Sequence, residues 1–312
     1  MLEDLDLSII VYGVDHTSAA ALSRLLSLRT LNIRLAVRGP SDIPLLKFSD
    51  FANLHHLSLY LHCFSTFSEI LATRSLRTSQ LRSVSLECSV RVPYSKQLQP
   101  LPIADFQHQL GIIRAALPDS LEALQLWLTY STRAEPPLPL ATLFAPFLTL
   151  NRLKSFDLSF RWGYVPHVLD EDLRIFAAAW PSLEVLSIFV REMGSPIFSS
   201  ACPPTIVGLV ELAKGCPRLR RVTLPAADVS VLPAMSALPS DGHKGVRFLD
   251  LSALVEDEDV VVEDVAKILD TVFPCLQEYS RVGEGMPHAE SWYEVQGTMR
   301  KMQAARNGVG SE

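Results

Sequence analysis

One six-position pattern recurs along the chain and constrains its fold more than any other feature: apolar, two variable, apolar, one variable, apolar. It begins at Leu2 (LEDLDL), Leu28 (LRTLNI), Leu54 (LHHLSL), Leu81 (LRSVSL), Leu121 (LEALQL), Leu153 (LKSFDL), Leu183 (LEVLSI), Leu219 (LRRVTL) and Val246 (VRFLDL). A degenerate tenth copy, LQEYSR, starts at Leu276. Successive starts lie 26, 26, 27, 40, 32, 30, 36, 27 and 30 residues apart. Such spacing is the signature of a repeat architecture, in which a unit unable to bury its own apolar face stacks on its neighbours.

A second mark stands just upstream of several copies. Trp180-Pro181-Ser182-Leu183, Cys216-Pro217-Arg218-Leu219 and Phe273-Pro274-Cys275-Leu276 place a proline two residues before the first apolar position, and Leu117-Pro118-Asp119-Ser120-Leu121 does so with one residue inserted. Proline cannot continue a helix and biases its predecessor to extended geometry, so it ends one element and launches the next. Between the marks the apolar period lengthens to about 3.6. Leu173, Phe176 and Trp180 share a helical face behind the acidic first turn Asp170-Glu171-Asp172. Ile206, Leu209, Val210 and Ala213 do the same after Pro203-Pro204, and Phe106, Leu110, Ile113 and Leu117 before Pro118.

Strand, loop, helix and proline-marked return, repeated, imply parallel strands with right-handed crossovers. The expected fold is therefore α/β: a right-handed leucine-rich-repeat solenoid with strands on a concave face, helices on a convex face and one continuous core. The array is expected over 1–285. A capping helix and short flexible tail are expected over 286–312, because Trp292, Val295, Met299 and Met302 form a helical stripe. Strands are expected to centre near Leu5, Leu31, Leu57, Val84, Leu124, Phe156, Leu186, Val222 and Leu249. Ten of them at about 4.8 Å spacing make an inner surface on the order of 45 Å long.

In each strand the apolar pair points inward and the intervening residues point outward. The outward set contains Asn32, Arg34, His56, Tyr60, Glu87, Gln125, Trp127, Asp157, Phe189, Arg221 and Asp250. Aromatic groups beside charges are the composition of interface anchors. Trp127 and Phe189 have a second reading, as side chains packed beneath long neighbouring loops. The stretches from Glu87 to Pro102 and from Arg191 to Pro204 are the expected loop insertions.

These residues resemble the leucine-rich-repeat region of fungal F-box proteins. The likeness rests on the irregular period, the Cys/Trp-Pro-x-Leu-x-x-Leu-x-Leu hinges and the missing asparagine ladder, and it covers nearly the whole chain. It implies substrate recognition for an SCF-type ubiquitin ligase, with a Skp-type adaptor as partner only if an F-box lies upstream. The alternative is a free-standing interaction scaffold. The pattern already begins at residue 2, so no F-box is expected within this chain; Leu101-Pro102-Ile103-Ala104-Asp105-Phe106 opens the helix of a long repeat. Ile9, Ile10 and Val11 lengthen the apolar first strand, so the chain is expected to be the remainder of a longer protein or to cover that edge by self-association.

Composition narrows the function classes. A net charge of −6 and a pI near 5.8 leave no basic stripe for nucleic acid. Despite 48% hydrophobic residues and a mean hydropathy of +0.20, no run reaches the roughly 18 apolar residues of a membrane span. Cys63, Cys88, Cys202, Cys216 and Cys275 are too sparse for a disulfide framework. The acidic N-terminus is unlike a secretory signal, so a cytoplasmic or nuclear location is expected.

Neither a phosphate loop nor a hydrolase elbow is present. Gly283-Glu284-Gly285 lacks the third glycine of a dinucleotide motif, and no cofactor is expected. His55, His56, His62 and Cys63 are metal-ligand types, but strand alternation sends His55 and His56 to opposite faces, so no metal is expected. The acidic run Val255-Glu256-Asp257-Glu258-Asp259 with Glu263 and Asp264 reads as a solvated helix start. The chain is expected not to be an enzyme.

Overall fold

The computed structural model describes residues 2–8, 21–22, 24–34, 51–61, 76, 80–88, 102–129, 138–161, 167–191, 203–238, 241–255, 260–279, 290–306 and 308. The chain divides into two compact units, the first comprising 1–138, 142–165 and 190–195 and the second 139–141, 166–189 and 196–312.

The first unit holds β1 (Asp4–Leu7), β2 (Thr30–Arg34), β3 (His56–Leu61), β4 (Ser83–Cys88), β5 (Ala123–Thr129) and β6 (Ser155–Arg161). They pair in parallel and in chain order, in a register that aligns Leu5, Leu31, Leu57, Val84, Leu124 and Phe156. Every apolar packet of the pattern in this unit therefore forms a strand where its spacing places it. Alternation does the rest: Leu31, Ile33, Leu57, Leu59, Val84, Leu86, Leu124 and Leu126 are buried, while the residues between them stay half-buried or exposed. Helix α1 (Ile103–Ala116) buries Phe106, Leu110 and Ile113. Phe144 anchors a cluster with Phe147, Phe156 and Phe160, ring centroids 6.1 to 6.2 Å apart.

A second regularity ties the strands together at their starts. The backbone N–H groups of Arg29 and Thr30 both donate to the Glu3 carbonyl, those of His55 and His56 to Arg29, those of Arg82 and Ser83 to His55, and those of Glu122 and Ala123 to Arg82. Acidic and basic side chains at these positions add ion pairs, Arg29 with Glu3 and Lys154 with Glu122. Exposed pairs of this kind contribute little to stability.

The second unit contains β7 (Val185–Arg191, residues 185–189 of it), β8 (Arg221–Leu224), β10 (Phe248–Leu251) and β12 (Glu278–Tyr279), parallel and in chain order. A separate parallel pair joins β9 (Ala227–Asp228) to β11 (Leu254–Val255). The helices are α2 (Asp170–Ala179), α3 (Ile206–Gly215), α4 (Val262–Val272) and α5 (Glu290–Arg306). Trp292, Val295 and Met299 of α5 are buried, and Gln303 and Arg306 hydrogen-bond to Asp270 of α4.

The proline marks have a concrete job. The N–H of Trp180 closes the last bond of α2 on Phe176, and the Trp180 carbonyl then accepts from Leu183, so Pro181 occupies the second position of a tight turn. Cys216 repeats this with Leu212 and Leu219 around Pro217.

The expectation of a leucine-rich-repeat solenoid with one continuous core is corrected here: what the structure shows is an α/β fold with parallel sheet in two compact units. The returns between strands are also unequal. One carries the 14-residue α1, the β5–β6 return a four-residue helical turn (Leu140–Leu143) followed by a five-residue 3-10 segment (Ala145–Thr149), and the β8–β10 return β9 and a three-residue 3-10 turn (Met235–Ala237). Pro225 and Pro233 interrupt that last return, and each removes a helical N–H and blocks the preceding turn.

Candidate functional site

In the first unit the outward strand positions fall into rows set by the register. The first runs Asp6, Asn32, Ser58, Ser85, Gln125, Asp157; the second runs Arg34, Tyr60, Glu87, Trp127, Ser159; a further row at the strand starts runs Asp4, Thr30, His56, Ser83, Ala123, Ser155. Arg34, His56, Tyr60, Glu87, Gln125, Trp127 and Asp157 are thus brought onto one face, with His56 exposed and the other six half-buried. Neighbouring strands lie about 4.8 Å apart, so adjacent members of a row are in reach of one another.

The first row is linked by side chains. The Asn32 amide donates to Asp6 at 3.4 Å, and the Ser85 hydroxyl donates to Gln125 Oε1 at 3.0 Å. With its carbonyl oxygen so engaged, Gln125 has its amide nitrogen free to donate to the Asp157 carboxylate, to which its side chain is hydrogen-bonded. Burial pushes the Asp157 carboxyl above the usual carboxylate range, against the opposing effect of that hydrogen bond. Asp6 goes the other way: the Ser8 hydroxyl and backbone N–H hold it below its ordinary value.

The second row carries the aromatic groups. Burial raises the Tyr60 hydroxyl pKa, the negative charges of Glu87 and Asp6 raise it further, and Arg34 opposes them. The field at Tyr60 is thus that of an acidic neighbourhood with one cation at its end.

In the second unit Phe189 is half-buried and Arg221 exposed. The Arg221 guanidinium lies 4.5 Å from the centre of the Phe248 ring, its register neighbour on β10, which holds the cation flat against the sheet. Asp250 is not at the surface: it is 6% exposed, beside Thr223 at 7%. Strand parity identified the face but not its depth of cover.

Two acidic groups outside the expected set have defined structural tasks. Asp172, fully buried, accepts the backbone N–H groups of Ala141 at 2.8 Å and Leu169 at 2.7 Å. Burial raises its pKa, and these hydrogen bonds work against the rise. Asp170 accepts from the N–H and the hydroxyl of Thr205, the residue that caps α3. The acidic triplet 170–172 was legible as a helix start, yet its bonds to neighbouring segments depend on which chain lies alongside.

Among the described residues no three His, Cys, Asp or Glu converge as metal ligands, and no helix is long and apolar enough to cross a membrane. His62, Cys63, Cys202, Ile9, Ile10, Val11, Asp257, Gly283, Glu284, Gly285 and most of the two expected loop insertions lie outside the described residues.

No family model matches the chain, and no curated protein matches it. Among solved structures, a sugar phosphate isomerase/epimerase from Parabacteroides distasonis overlays 86% of this chain and 88% of its own at 8% identity and a TM-score of 0.15, a similarity too low to argue fold or activity from. The leucine-rich-repeat solenoid gives way instead to the parallel sheet and two compact units described above, and the expectation that the chain is not an enzyme falls because missing motifs exclude no activity. Both expectations are withdrawn, and the fold stands as α/β with parallel sheet.

Proposed function

We propose that the chain is a protein-protein interaction module and that the outward face of the first unit's sheet is its binding surface. The observation that carries this reading is the alignment, by strand register, of Arg34, Tyr60, Glu87 and Trp127 beside Gln125 and Asp157. Half-buried aromatics flanked by charges provide anchor area together with polar partners, the composition of an interface centre. Parallel strands fix these side chains on a rigid frame, so little ordering is left for binding to complete. Phe189 and Arg221 are the corresponding candidates in the second unit, considered separately.

The resemblance to fungal F-box proteins suggests substrate recognition for an SCF-type ubiquitin ligase, acting in the cytoplasm or nucleus; a free-standing scaffold is the alternative. Capture from the native cell tests the face directly. Ser58 sits between Asn32 and Ser85 in the outward row, so Ser58→Trp fills the surface without entering the core. The wild type is expected to retain specific partners that Ser58→Trp loses at an unchanged melting temperature. Retention of every partner by the variant contradicts the proposal. A Skp-type adaptor captured with both the wild type and the variant favours the ligase reading, and partners unconnected with ubiquitin favour the scaffold.

A further inference from the structure

The acidic groups of the first unit are unequally provided for. Glu122 has Lys154 at 2.8 Å and Arg82 at 3.9 Å, and Glu3 has Arg29. Asp157 is hydrogen-bonded by the amide of Gln125 and, among the described side chains, has no cation in ion-pair reach. It is nevertheless half-buried, the situation in which an ionised carboxylate most needs a counter-charge. Its surroundings on the outward face suit such a group. Gln125 holds the carboxylate from one side, and its own orientation is fixed in turn by Ser85. Trp127 lies diagonally across the β5–β6 pair from Asp157, so its ring stands beside any group approaching the carboxylate. Outward positions of these strands hold four carboxylates, Asp4, Asp6, Glu87 and Asp157, against two arginines, Arg34 and Arg161. A face of that balance selects a basic partner.

We propose that Asp157, held by Gln125 and flanked by Trp127, receives an arginine side chain of a basic protein segment docked on this face. The guanidinium brings planar donors for the carboxylate and a flat surface for the indole, which a lysine ammonium does not. Gln125 is a positioning residue, and Asp157 and Trp127 are the contacts. This inference rests on the face being a binding surface and adds the chemistry of its occupant.

Two fluorescein-labelled hexapeptides test it on the full chain by fluorescence anisotropy: alternating glycine and arginine, and the same peptide with citrulline, which keeps the shape and removes the charge. The arginine peptide is expected to bind about tenfold or more tightly than the citrulline peptide and to weaken with added salt. Asp157→Asn preserves the side-chain shape and the Gln125 hydrogen bond, and is expected to erase the difference without lowering the melting temperature. Equal affinity for the two peptides, an arginine preference unchanged in Asp157→Asn, or no binding of the arginine peptide up to millimolar concentration overturns the inference. If it falls while Ser58→Trp still strips a cellular partner, the face remains a binding surface for a partner of different chemistry.

Discussion

Asp170 on the first turn of α2 accepts both the backbone N–H and the hydroxyl of Thr205, each at 2.7 Å. One carboxylate thus fixes the residue whose own oxygen caps α3 by accepting from Val207 at 3.1 Å. The approach is tight: a Cβ on Gly208 would lie 2.2 Å from Asp170 Oδ1 and 3.1 Å from its Cα.

Gly208→Ala is therefore expected to destabilise the protein, although alanine is the better helix former. The intruding methyl must displace the carboxylate and cost the Thr205 bonds, about 1–3 kcal/mol against a helix gain of about 1 kcal/mol. In an Asp170→Ala background the same substitution should cost markedly less, because only the 3.1 Å approach to the residue-170 Cα remains. A double-mutant cycle by chemical denaturation measures this coupling, and additive effects would show that the two helices do not meet through this pair.

Leu186 is fully buried near the start of β7, aligned with Val222 of β8. Leu186→Asp places an unpaired carboxylate among apolar neighbours, at a cost of several kcal/mol, roughly the stability of a small domain. Circular dichroism is expected to show loss of the cooperative melt. A melting temperature within a degree of wild type would remove Leu186 from the core.

Asp157 gives the protein a pH dependence of defined sign. Its folded pKa is raised by burial, so its favourable contribution is complete below the unfolded carboxylate value and is lost as pH rises through the folded one. Asp157→Asn mimics the protonated form. The variant is expected to be more stable than wild type at about pH 7 and to lose that advantage toward about pH 4, where the free carboxyl group titrates. Urea denaturation at both pH values checks this; a constant difference would contradict it.

Thiol reactivity separates the cysteines. Burial pushes the Cys216 thiol up to about 12, and its sulfur donates to the Trp180 carbonyl at 3.5 Å. The thiolate is the reactive species. Peptide mapping after iodoacetamide treatment at about pH 8 should find Cys216 unmodified in the folded protein while the half-buried Cys275 is labelled. Equal labelling would mean that the Trp180–Leu183 turn opens readily.

Much of the local architecture was readable from residues. Leu5, Leu31, Leu57, Val84, Leu124, Phe156, Leu186, Val222 and Leu249 all lie in parallel strands, because a period of two with a shared register is written in neighbouring positions. Pro181 and Pro217 likewise act within four residues. The division into two units, the burial of Asp250 and the bond from Ala141 to Asp172 were not readable, since each depends on segments distant in the chain. Unequal intervals also hid the returns that break the strand-then-helix alternation, such as Met235–Ala237.

The most direct test of the binding face uses a benzophenone amino acid at single positions of the full chain, irradiated in the native cell. One probe replaces Ser58 in the outward row of the sheet, and the other replaces Ala104, exposed on α1 of the same unit. The face reading predicts a discrete crosslinked partner from position 58 and none from position 104. Crosslinking from 104 alone would place the interaction surface on the helical side and contradict the account.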